Sequence, residues 1–294
     1  KQFMAGIAYY LGLKKLGAGI VRLGVDTLQM HWNTIFRLRP TYLIAVPSFV
    51  ARLIDYAKQH EIDFASSSVK KIICIGENIR DLNLKLNKIG QRITSQWQVQ
   101  LFSTYASTEM ATAFTECTYR KGGHHNEDLL IVEVLDANNE AVAPGEIGEL
   151  TVTTLGIEGL PLLRYKTGDL VKTYNDDCAC GSSALRISPV VGRTAQRIKY
   201  KGTTLYPSAI LDLLNKFQSI NDMLIQIDND NLANDRLTIH LATHEHFSLT
   251  EVKSSLKSTL RVVPEIVIHN SLQPLRKLFN VDKKRKPVKV IDCR

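Results

Sequence analysis

The chain has 294 residues, of which 44% are hydrophobic and 22% are charged, and its formal net charge is +8 at pH 7. This composition is typical of a globular protein and excludes a disordered chain, and no apolar run is long enough to span a bilayer. The five cysteines, an odd number without a recognisable secretory signal, favour reduced thiols over a disulfide framework, so we expect a cytoplasmic protein.

The positive charge suits a polyanionic ligand, either a nucleotide or a nucleic acid. The lysines and arginines are scattered, however, and form no basic stripe with interleaved aromatic residues; the one dense run is Lys283–Lys286. We therefore predict no nucleic-acid partner.

The first half of the chain alternates between helical and strand patterns. An apolar segment begins at once, so we expect a further N-terminal portion before residue 1. The predicted elements are a helix running into a strand over 4–24, a helix over 27–38, a strand over 41–46, a helix over 49–60, a strand over 69–75, a long helix over 80–94 and a strand over 99–104. This alternation predicts an α/β large domain with a mainly parallel sheet covered by helices.

From about residue 129 the pattern changes to short strands joined by turn residues. We predict a β subdomain over about 129–191 with strands at 129–135, 149–154 and 169–174. The residues after Gly192-Arg193 predict a small α+β domain with a hairpin at 197–206, a helix from 207, strands at 223–227 and 237–242, a helix at 249–261 and a strand at 265–268. The predicted domains are therefore residues 1–194 and a small mobile domain over residues 195–294.

Polar residues follow two of the predicted strands. Gly76-Glu77 comes after the strand at 69–75, and the segment from Thr104 to Glu109 comes after the strand at 99–104. In parallel sheets, ligands bind at the carboxyl ends of strands. The second segment offers an aromatic ring for a base, hydroxyls for phosphate and a carboxylate for Mg²⁺. A capped loop-to-helix junction explains the same residues equally well.

The run from Arg164 to Leu170 carries an aspartate beside a glycine. Asp169 is well placed to hold a vicinal diol such as a ribose, and Arg193 downstream adds positive charge near a phosphate. A simple hairpin turn explains Gly168-Asp169 as well, because this pair is common in turns.

Five motifs occur in one order along the chain: Gly76-Glu77, Tyr105–Glu109, Arg164–Asp169, Gly192-Arg193 and, near the end, Lys286. In this order the sequence resembles the adenylate-forming superfamily of acyl- and aryl-CoA ligases. The segment from Gly122 to Glu133 and the ending from Lys286 to Arg294 are similar to its phenylacetate–CoA ligase branch. The resemblance implies the adenylate-forming fold, with ATP, AMP, Mg²⁺ and coenzyme A as cofactors and substrates.

The resemblance assigns the nucleotide base to one group of residues. Tyr105 is expected to pack against adenine, and Gly76 and Glu77 to border the base and the acyl pocket. Ala106 and Ser107 belong to the same nucleotide-binding motif.

A second group is assigned to the phosphates, the ribose and catalysis. The resemblance implies that Thr108 contacts the α-phosphate and that Glu109 binds Mg²⁺. Asp169 takes the ribose hydroxyls with Arg193 nearby. Lys286 offsets the charge that builds up when the carboxylate attacks the α-phosphate.

The sequence also departs from the family pattern. The Gly/Ser/Thr-rich phosphate loop is not found and would precede residue 1, so we expect this stretch alone to be inactive. Ala106 stands where a glycine is usual, Ala195 where an acidic hinge residue is usual, and Arg285 where a glycine precedes the catalytic lysine.

Three cysteines and a histidine form a second candidate site. Cys117, His124, Cys178 and Cys180 complete the ligand set of a structural zinc ion, with His125 as a competing ligand. Two loop thiols beside unrelated residues explain the pattern equally well, because Cys-x-Cys is less diagnostic than Cys-x-x-Cys.

We therefore predict an AMP-forming acid–thiol ligase that activates an aryl or acyl carboxylate and transfers it to coenzyme A. Two alternatives stay open: a non-catalytic nucleotide- or acyl-binding homologue, and a ligase that loads a carrier-protein thiol. No membrane partner is predicted, and the sequence is compatible with a homodimer.

Overall fold

The structure, a computed structural model, describes residues 4–24, 27–200, 203–229, 235–244, 247–279 and 288–294. It divides into two compact units. The first comprises residues 1–167 and 172–189, and the second comprises residues 168–171 and 190–294. The domain boundary expected after residue 194 stays a prediction.

Within the described residues, the first unit contains four α-helices and the strands of the main sheet. The helices are α1 (Met4–Lys15), α2 (Leu28–Leu38), α3 (Pro47–Gln59) and α4 (Lys88–Gln96). The strands are β1 (Tyr42–Ala45), β2 (Lys71–Ile75), β3 (Gln100–Ala106), β4 (Ala113–Glu116), β5 (Gly123–His124), β6 (Leu130–Leu135) and β7 (Gly148–Thr154). They are followed by β8 (Tyr165–Val171), which begins in this unit and ends in the second, and by β9 (Thr173–Tyr174) and β10 (Arg186–Ile187).

The main sheet of the first unit has the strand order β1-β2-β3-β4-β5-β10-β9. Strands β1, β2 and β3 are parallel, and every later pair in the sheet is antiparallel. The predicted α/β class is confirmed, but the sheet is mixed and not mainly parallel, because only the pairs among the first three strands are parallel. Strands β6 and β7 form an antiparallel pair outside this sheet.

The core of the first unit lies where α2, α3 and α4 cover the parallel strands. Trp32 and Trp97 are 1% and 2% exposed, with ring centroids 5.4 Å apart, and the Trp32 indole donates a hydrogen bond to the Leu53 carbonyl at 3.0 Å. Two further buried residues of this core are Ile72 and Ile93. Apolar residues at helical spacing produced this contact surface, as the sequence pattern indicated.

Two predicted elements are wrong: one helix is shorter than predicted and one strand does not form. The long helix predicted over 80–94 is replaced by a turn followed by the nine-residue helix α4. The Asp81 carboxylate accepts hydrogen bonds from the backbone N–H groups of Asn83 and Lys85, and Asn87 caps α4, so local side-chain bonds compete with the helix. Residues 16–24 form no strand.

The described residues of the second unit form strand β11 (Gly192–Arg193), the hairpin β12 (Ile198–Tyr200) and β13 (Thr203–Leu205), and a four-stranded sheet with three α-helices. These elements are α5 (Pro207–Leu214), β14 (Ile220–Asn229), β15 (Asp235–Thr243), α6 (Leu249–Leu260), β16 (Glu265–His269), α7 (Gln273–Leu278) and β17 (Val290–Asp292). The sheet order is β16-β15-β14-β17, with β14 and β15 antiparallel and both outer pairs parallel. The elements predicted for this part of the chain are therefore present.

Buried aliphatic residues from α5, α6, β14 and β15 form the core of the second unit. They include Leu214, Ile225, Ile239 and Leu256, each fully buried. Among the described residues, no helix combines the length and apolar character needed to cross a bilayer.

A buried histidine gives the second unit an expected pH dependence. The His240 ring lies within 3.0 Å of both the His269 ring and the Gln226 side-chain oxygen, and burial lowers its pKa, helped by His269. The unfolded chain binds a proton below about pH 6.5 that the folded unit does not, so stability falls as the pH drops through that value. Replacing His240 with asparagine is expected to flatten this dependence.

Hydrogen exchange of the β14 and β15 amides between pH 5 and pH 8 measures this effect. His244→Gln, at an exposed position, serves as the control. An unchanged pH dependence in His240→Asn would contradict the assignment.

Candidate functional site

The first part of the candidate site lies where β2 and β3 end side by side. Ile75 pairs with Thr104, so Gly76-Glu77 leave the sheet beside the last two residues of β3, Tyr105 and Ala106. Gly76 has a φ of 74°, a conformation that glycine adopts without strain and that turns the chain out of β2.

Glu77 is held by the start of helix α3. Its carboxylate accepts hydrogen bonds from the Ser48 backbone N–H at 2.9 Å and from the Ser48 hydroxyl at 2.7 Å. A carboxylate at this position satisfies a free N–H group of the first helical turn and complements the helix dipole. Ser48 is a partner that the sequence did not single out.

The segment from Tyr105 to Glu109 is the end of β3 and the loop of a β-hairpin, not the start of a helix. β3 pairs antiparallel with β4, with Tyr105 opposite Phe114 and their ring centroids 6.0 Å apart. Met110 is 1% exposed and its backbone N–H donates to the Ser107 hydroxyl at 3.3 Å, which anchors the loop. Ala106, Thr108 and Glu109 are exposed at its tip.

A buried ion pair supports this hairpin. Arg80 donates from Nε to the Glu116 carboxylate at 2.7 Å, and the second carboxylate oxygen accepts from the Ser103 backbone N–H at 2.9 Å. The side chains are 7% and 2% exposed. The pair thus ties the end of β4 to β3 and to the chain after β2. Sequence reasoning missed it; the only signal was a charged residue within each of two apolar segments.

Asp169 and Arg193 lie together in the second unit. They are paired residues of the antiparallel strands β8 and β11, and Arg193 Nε donates to the Asp169 carboxylate at 2.9 Å. The Asp169 side chain is 9% exposed and that of Arg193 is 64% exposed. The alternative of a simple hairpin turn is wrong: Gly168 and Asp169 lie in strand β8, in which Gly168 keeps a φ of 76°.

The remaining catalytic candidate, Lys286, lies outside the described residues, as does Arg285. Ala195 is described and belongs to a short 3₁₀ turn over Thr194–Gln196, directly after Arg193.

The structure brings the four predicted metal ligands together. The ligand atoms of Cys117, His124, Cys178 and Cys180 all lie within 4.8 Å of one another. The Cys117 and Cys178 sulfur atoms are 3.7 Å apart, and the Cys180 sulfur is 3.8 Å from His124 Nε2. His125, the competing ligand, is engaged elsewhere, because its Nε2 lies 2.8 Å from the Leu130 carbonyl.

Three parts of the main sheet supply these ligands. Cys117 follows β4, His124 lies in β5, and the two later cysteines lie in the loop between β9 and β10. Gly181, with a φ of 87°, closes that loop by donating to the Cys178 carbonyl at 2.9 Å. Arg186 donates to the Lys121 carbonyl and so ties the two loops together.

The surroundings shift the pKa values of these ligands in different directions. Burial raises the pKa of Cys117, whereas the backbone N–H of Cys180 lowers the pKa of Cys178. Burial, with a contribution from the Arg186 charge, lowers the pKa of His124. A neutral imidazole is the form that binds a metal ion.

Comparison with known proteins gives a consistent result. The family model described as "AMP-binding enzyme" matches residues 3–157. The phenylacetate-coenzyme A ligase of Thermus thermophilus is 26% identical over 212 residues, which cover 71% of this chain and 46% of that protein. The Escherichia coli enzyme of the same name is 22% identical over 223 residues, covering 74% of this chain and 49% of that protein. The chain thus spans about half the length of these curated relatives.

Solved structures agree on the fold. A 2-hydroxyisobutyryl-CoA ligase in complex with an acyl-adenylate superposes with a TM-score of 0.77 at 21% identity, covering 96% of this chain and 61% of that one. The O-succinylbenzoate coenzyme A synthetase of Bacillus subtilis, in complex with AMP, gives a TM-score of 0.66 at 16% identity, covering 91% and 55%. The predicted adenylate-forming fold is confirmed.

Proposed function

Because this chain belongs to the AMP-binding enzyme family, we propose that the protein activates an aryl or acyl carboxylate with ATP and transfers the acyl group to coenzyme A. The observation that carries the proposal is the pairing of Ile75 with Thr104, because Gly76-Glu77 then follow β2 beside Tyr105 at the end of β3, and the Ser107–Glu109 loop comes directly after β3. This is the position at which α/β sheets bind ligands.

Within this proposal, Tyr105 packs against the adenine, while Gly76 and Glu77 border the base and the acyl pocket. Ala106 and Ser107 line the nucleotide from the end of β3. The anchored Glu77 carboxylate and the packing of Tyr105 on Phe114 give these side chains fixed positions, which a binding site needs.

The exposed loop tip handles the phosphates. Thr108 contacts the α-phosphate, and Glu109 is the protein ligand of Mg²⁺, which commonly takes one or two carboxylates together with phosphate oxygens and waters. When bound, the ion offsets negative charge on the phosphates. The exposed Glu109 carboxylate, next to the Thr108 hydroxyl, is suited to this kind of coordination.

Asp169 and Arg193 form the ribose part of the proposal. The carboxylate of Asp169 is fixed by the arginine at 2.9 Å and accepts hydrogen bonds from the ribose hydroxyls. The exposed Arg193 side chain adds positive charge near the phosphate.

The proposed reaction has two steps. A substrate carboxylate oxygen attacks the α-phosphorus of ATP and pyrophosphate leaves, which forms the acyl-adenylate. The coenzyme A thiol, after losing its proton, then attacks the acyl carbon and AMP leaves. Lys286 stabilises the first transition state by opposing the charge of the two anions.

Pyrophosphate exchange into ATP by the intact protein, with a panel of carboxylic acids, tests the first step. We expect exchange with at least one acid, and Lys286→Ala is expected to lower its rate about 100-fold. Lys283→Ala, in the same basic run, is the matched control and is expected to keep the wild-type rate.

The same assay separates the alternatives. Binding of AMP without exchange for any acid would contradict catalysis and support a non-catalytic homologue, which the unusual Ala195 and Arg285 favour. Exchange without a coenzyme A thioester, but with a thioester on a carrier protein, would identify a carrier-loading ligase.

A structural zinc ion at Cys117, His124, Cys178 and Cys180 is also part of the proposal. Two thiolates each about 2.3 Å from one tetrahedral zinc ion lie about 3.8 Å apart, close to the observed 3.7 Å. A disulfide would need about 2.05 Å. Four protein ligands leave no open position, so the ion holds β4, β5 and the β9–β10 loop together and takes no part in the chemistry.

A further inference from the structure

Arg294 lies at the centre of a polar network within the second unit. Its Nε and one terminal nitrogen donate to the Asp292 carboxylate at 2.9 and 2.6 Å. The other terminal nitrogen donates to both carboxylate oxygens of Asp235, at 3.2 and 3.1 Å. The Arg294 side chain is 19% exposed and that of Asp235 is 12% exposed.

The same guanidinium also binds backbone carbonyls of a distant segment. It donates to the Arg197 carbonyl at 2.9 Å and to the Ala195 carbonyl at 3.3 Å. These carbonyls belong to the turn that connects Arg193 to strand β12. A guanidinium has five N–H donors, and here every nitrogen has an acceptor from a carboxylate or from this turn.

The opposite charges of Arg294 and its two carboxylate partners strengthen these hydrogen bonds. Two carboxylates, on β15 and β17, surround one cation and raise the pKa of Arg294. Hydrogen bonds from a charged donor to carbonyls in a shielded position are stronger than neutral ones. Through Arg294, the turn is therefore bound to the first residue of β15 and to the last residue of β17.

This network includes the backbone of Ala195, which stands where an acidic hinge residue is usual in the family. Alanine offers no side chain that could restrain the turn by itself. The restraint comes instead from Arg294, 99 residues further along the chain, through the backbone of the turn.

We propose that Arg294 is a positioning residue that fastens the turn at residues 194–197 to the β14–β17 sheet, so that turn and sheet move as one piece during catalysis. The catalytic part of this inference rests on the proposed ligase function. It implies that the hinge of the predicted mobile domain over residues 195–294 lies before Ala195.

Limited digestion of the intact protein with trypsin tests the restraint without any need for activity. Trypsin cuts after Arg197, and the carbonyl of that bond is the one that accepts from Arg294. In Arg294→Ala we expect cleavage at this bond, followed by mass spectrometry, to be at least about tenfold faster. Arg294→Lys is expected to be intermediate, because an ammonium cannot serve both carbonyls and both carboxylates.

Arg236→Ala is the matched control. It removes an arginine of the same sheet whose side chain is 61% exposed and lies 3.5 Å from Asp228, and it is expected to leave cleavage after Arg197 unchanged. If Arg294→Ala does not fold, the rate of cleavage after Arg197 is measured in Arg294→Lys and in Asp235→Asn instead. Cleavage of both at the wild-type rate would overturn the proposal.

A kinetic readout then distinguishes positioning from mere stability. In folded Arg294→Lys, the rate of acyl-CoA formation is expected to fall about tenfold while the KM for ATP changes less than about twofold, because the hydrogen bonds that Arg294 makes with the described residues go to Asp292, Asp235 and the 194–197 turn. Faster cleavage with unchanged turnover would refute the catalytic part and leave the restraint standing. A wild-type protein without ligase activity would refute the proposed function, and the trypsin result would still decide the restraint.

Discussion

Replacing Cys178 with serine is expected to release a bound zinc ion and to lower the melting temperature of the first unit by about 10 °C. Cys178 is the buried member of the four-ligand cluster, and its sulfur lies 3.7 Å from that of Cys117. Without it, a zinc ion loses one of four ligands, and the remaining thiols have no shared cation. The β9–β10 loop is then held to β4 and β5 by fewer bonds.

Metal analysis of the purified wild-type protein, with the thermal melt of both proteins, measures this effect. We expect about one zinc ion per chain in the wild type. Cys293→Ser is the matched control: Cys293 is exposed and lies outside the cluster, so its loss is expected to leave zinc content and melting temperature unchanged. Wild-type protein from zinc-supplemented cells that holds no zinc would refute the site.

Replacing Glu116 with glutamine is expected to destabilise the first unit by about 3–5 kcal/mol. The substitution keeps the shape of the side chain but leaves the Arg80 guanidinium buried without its counter-charge. It also weakens the acceptor of the Ser103 backbone N–H. Because this pair supports the hairpin that carries Tyr105 and Glu109, nucleotide binding is expected to weaken together with stability.

Urea unfolding followed by tryptophan fluorescence reports on this unit alone, because both tryptophans, Trp32 and Trp97, belong to it. Asp55→Asn is the control, since its ion pair with Arg92 is exposed and is expected to contribute less than about 1 kcal/mol. The double variant Arg80→Leu with Glu116→Leu is expected to recover much of the loss. Equal effects of Glu116→Gln and Asp55→Asn would contradict this account.

Much of the fold was predictable from local patterns. Apolar residues at helical spacing predicted α2 and α3, and β-branched runs predicted β2, β3 and the sheet of the second unit. The helix over 80–94 was wrong, since Asp81 and Asn87 bind nearby backbone N–H groups and start α4 late. The sequence also did not distinguish a hairpin loop from a helix start after Tyr105, because Ser/Thr followed by Glu is common in both.

The order of residues specifies which chemical groups are available: the Tyr105–Glu109 segment, Asp169, Arg193 and the cysteines. Which of these groups meet depends on how the strands pair. His124, and not His125, joins the cysteines, because the His125 ring lies 2.8 Å from the Leu130 carbonyl. Likewise, Arg294 reaches Ala195 across 99 residues of sequence. Each side chain can be read from its own position in the sequence. Contacts between distant residues depend on strand register and on the path of the chain, which short sequence patterns do not specify.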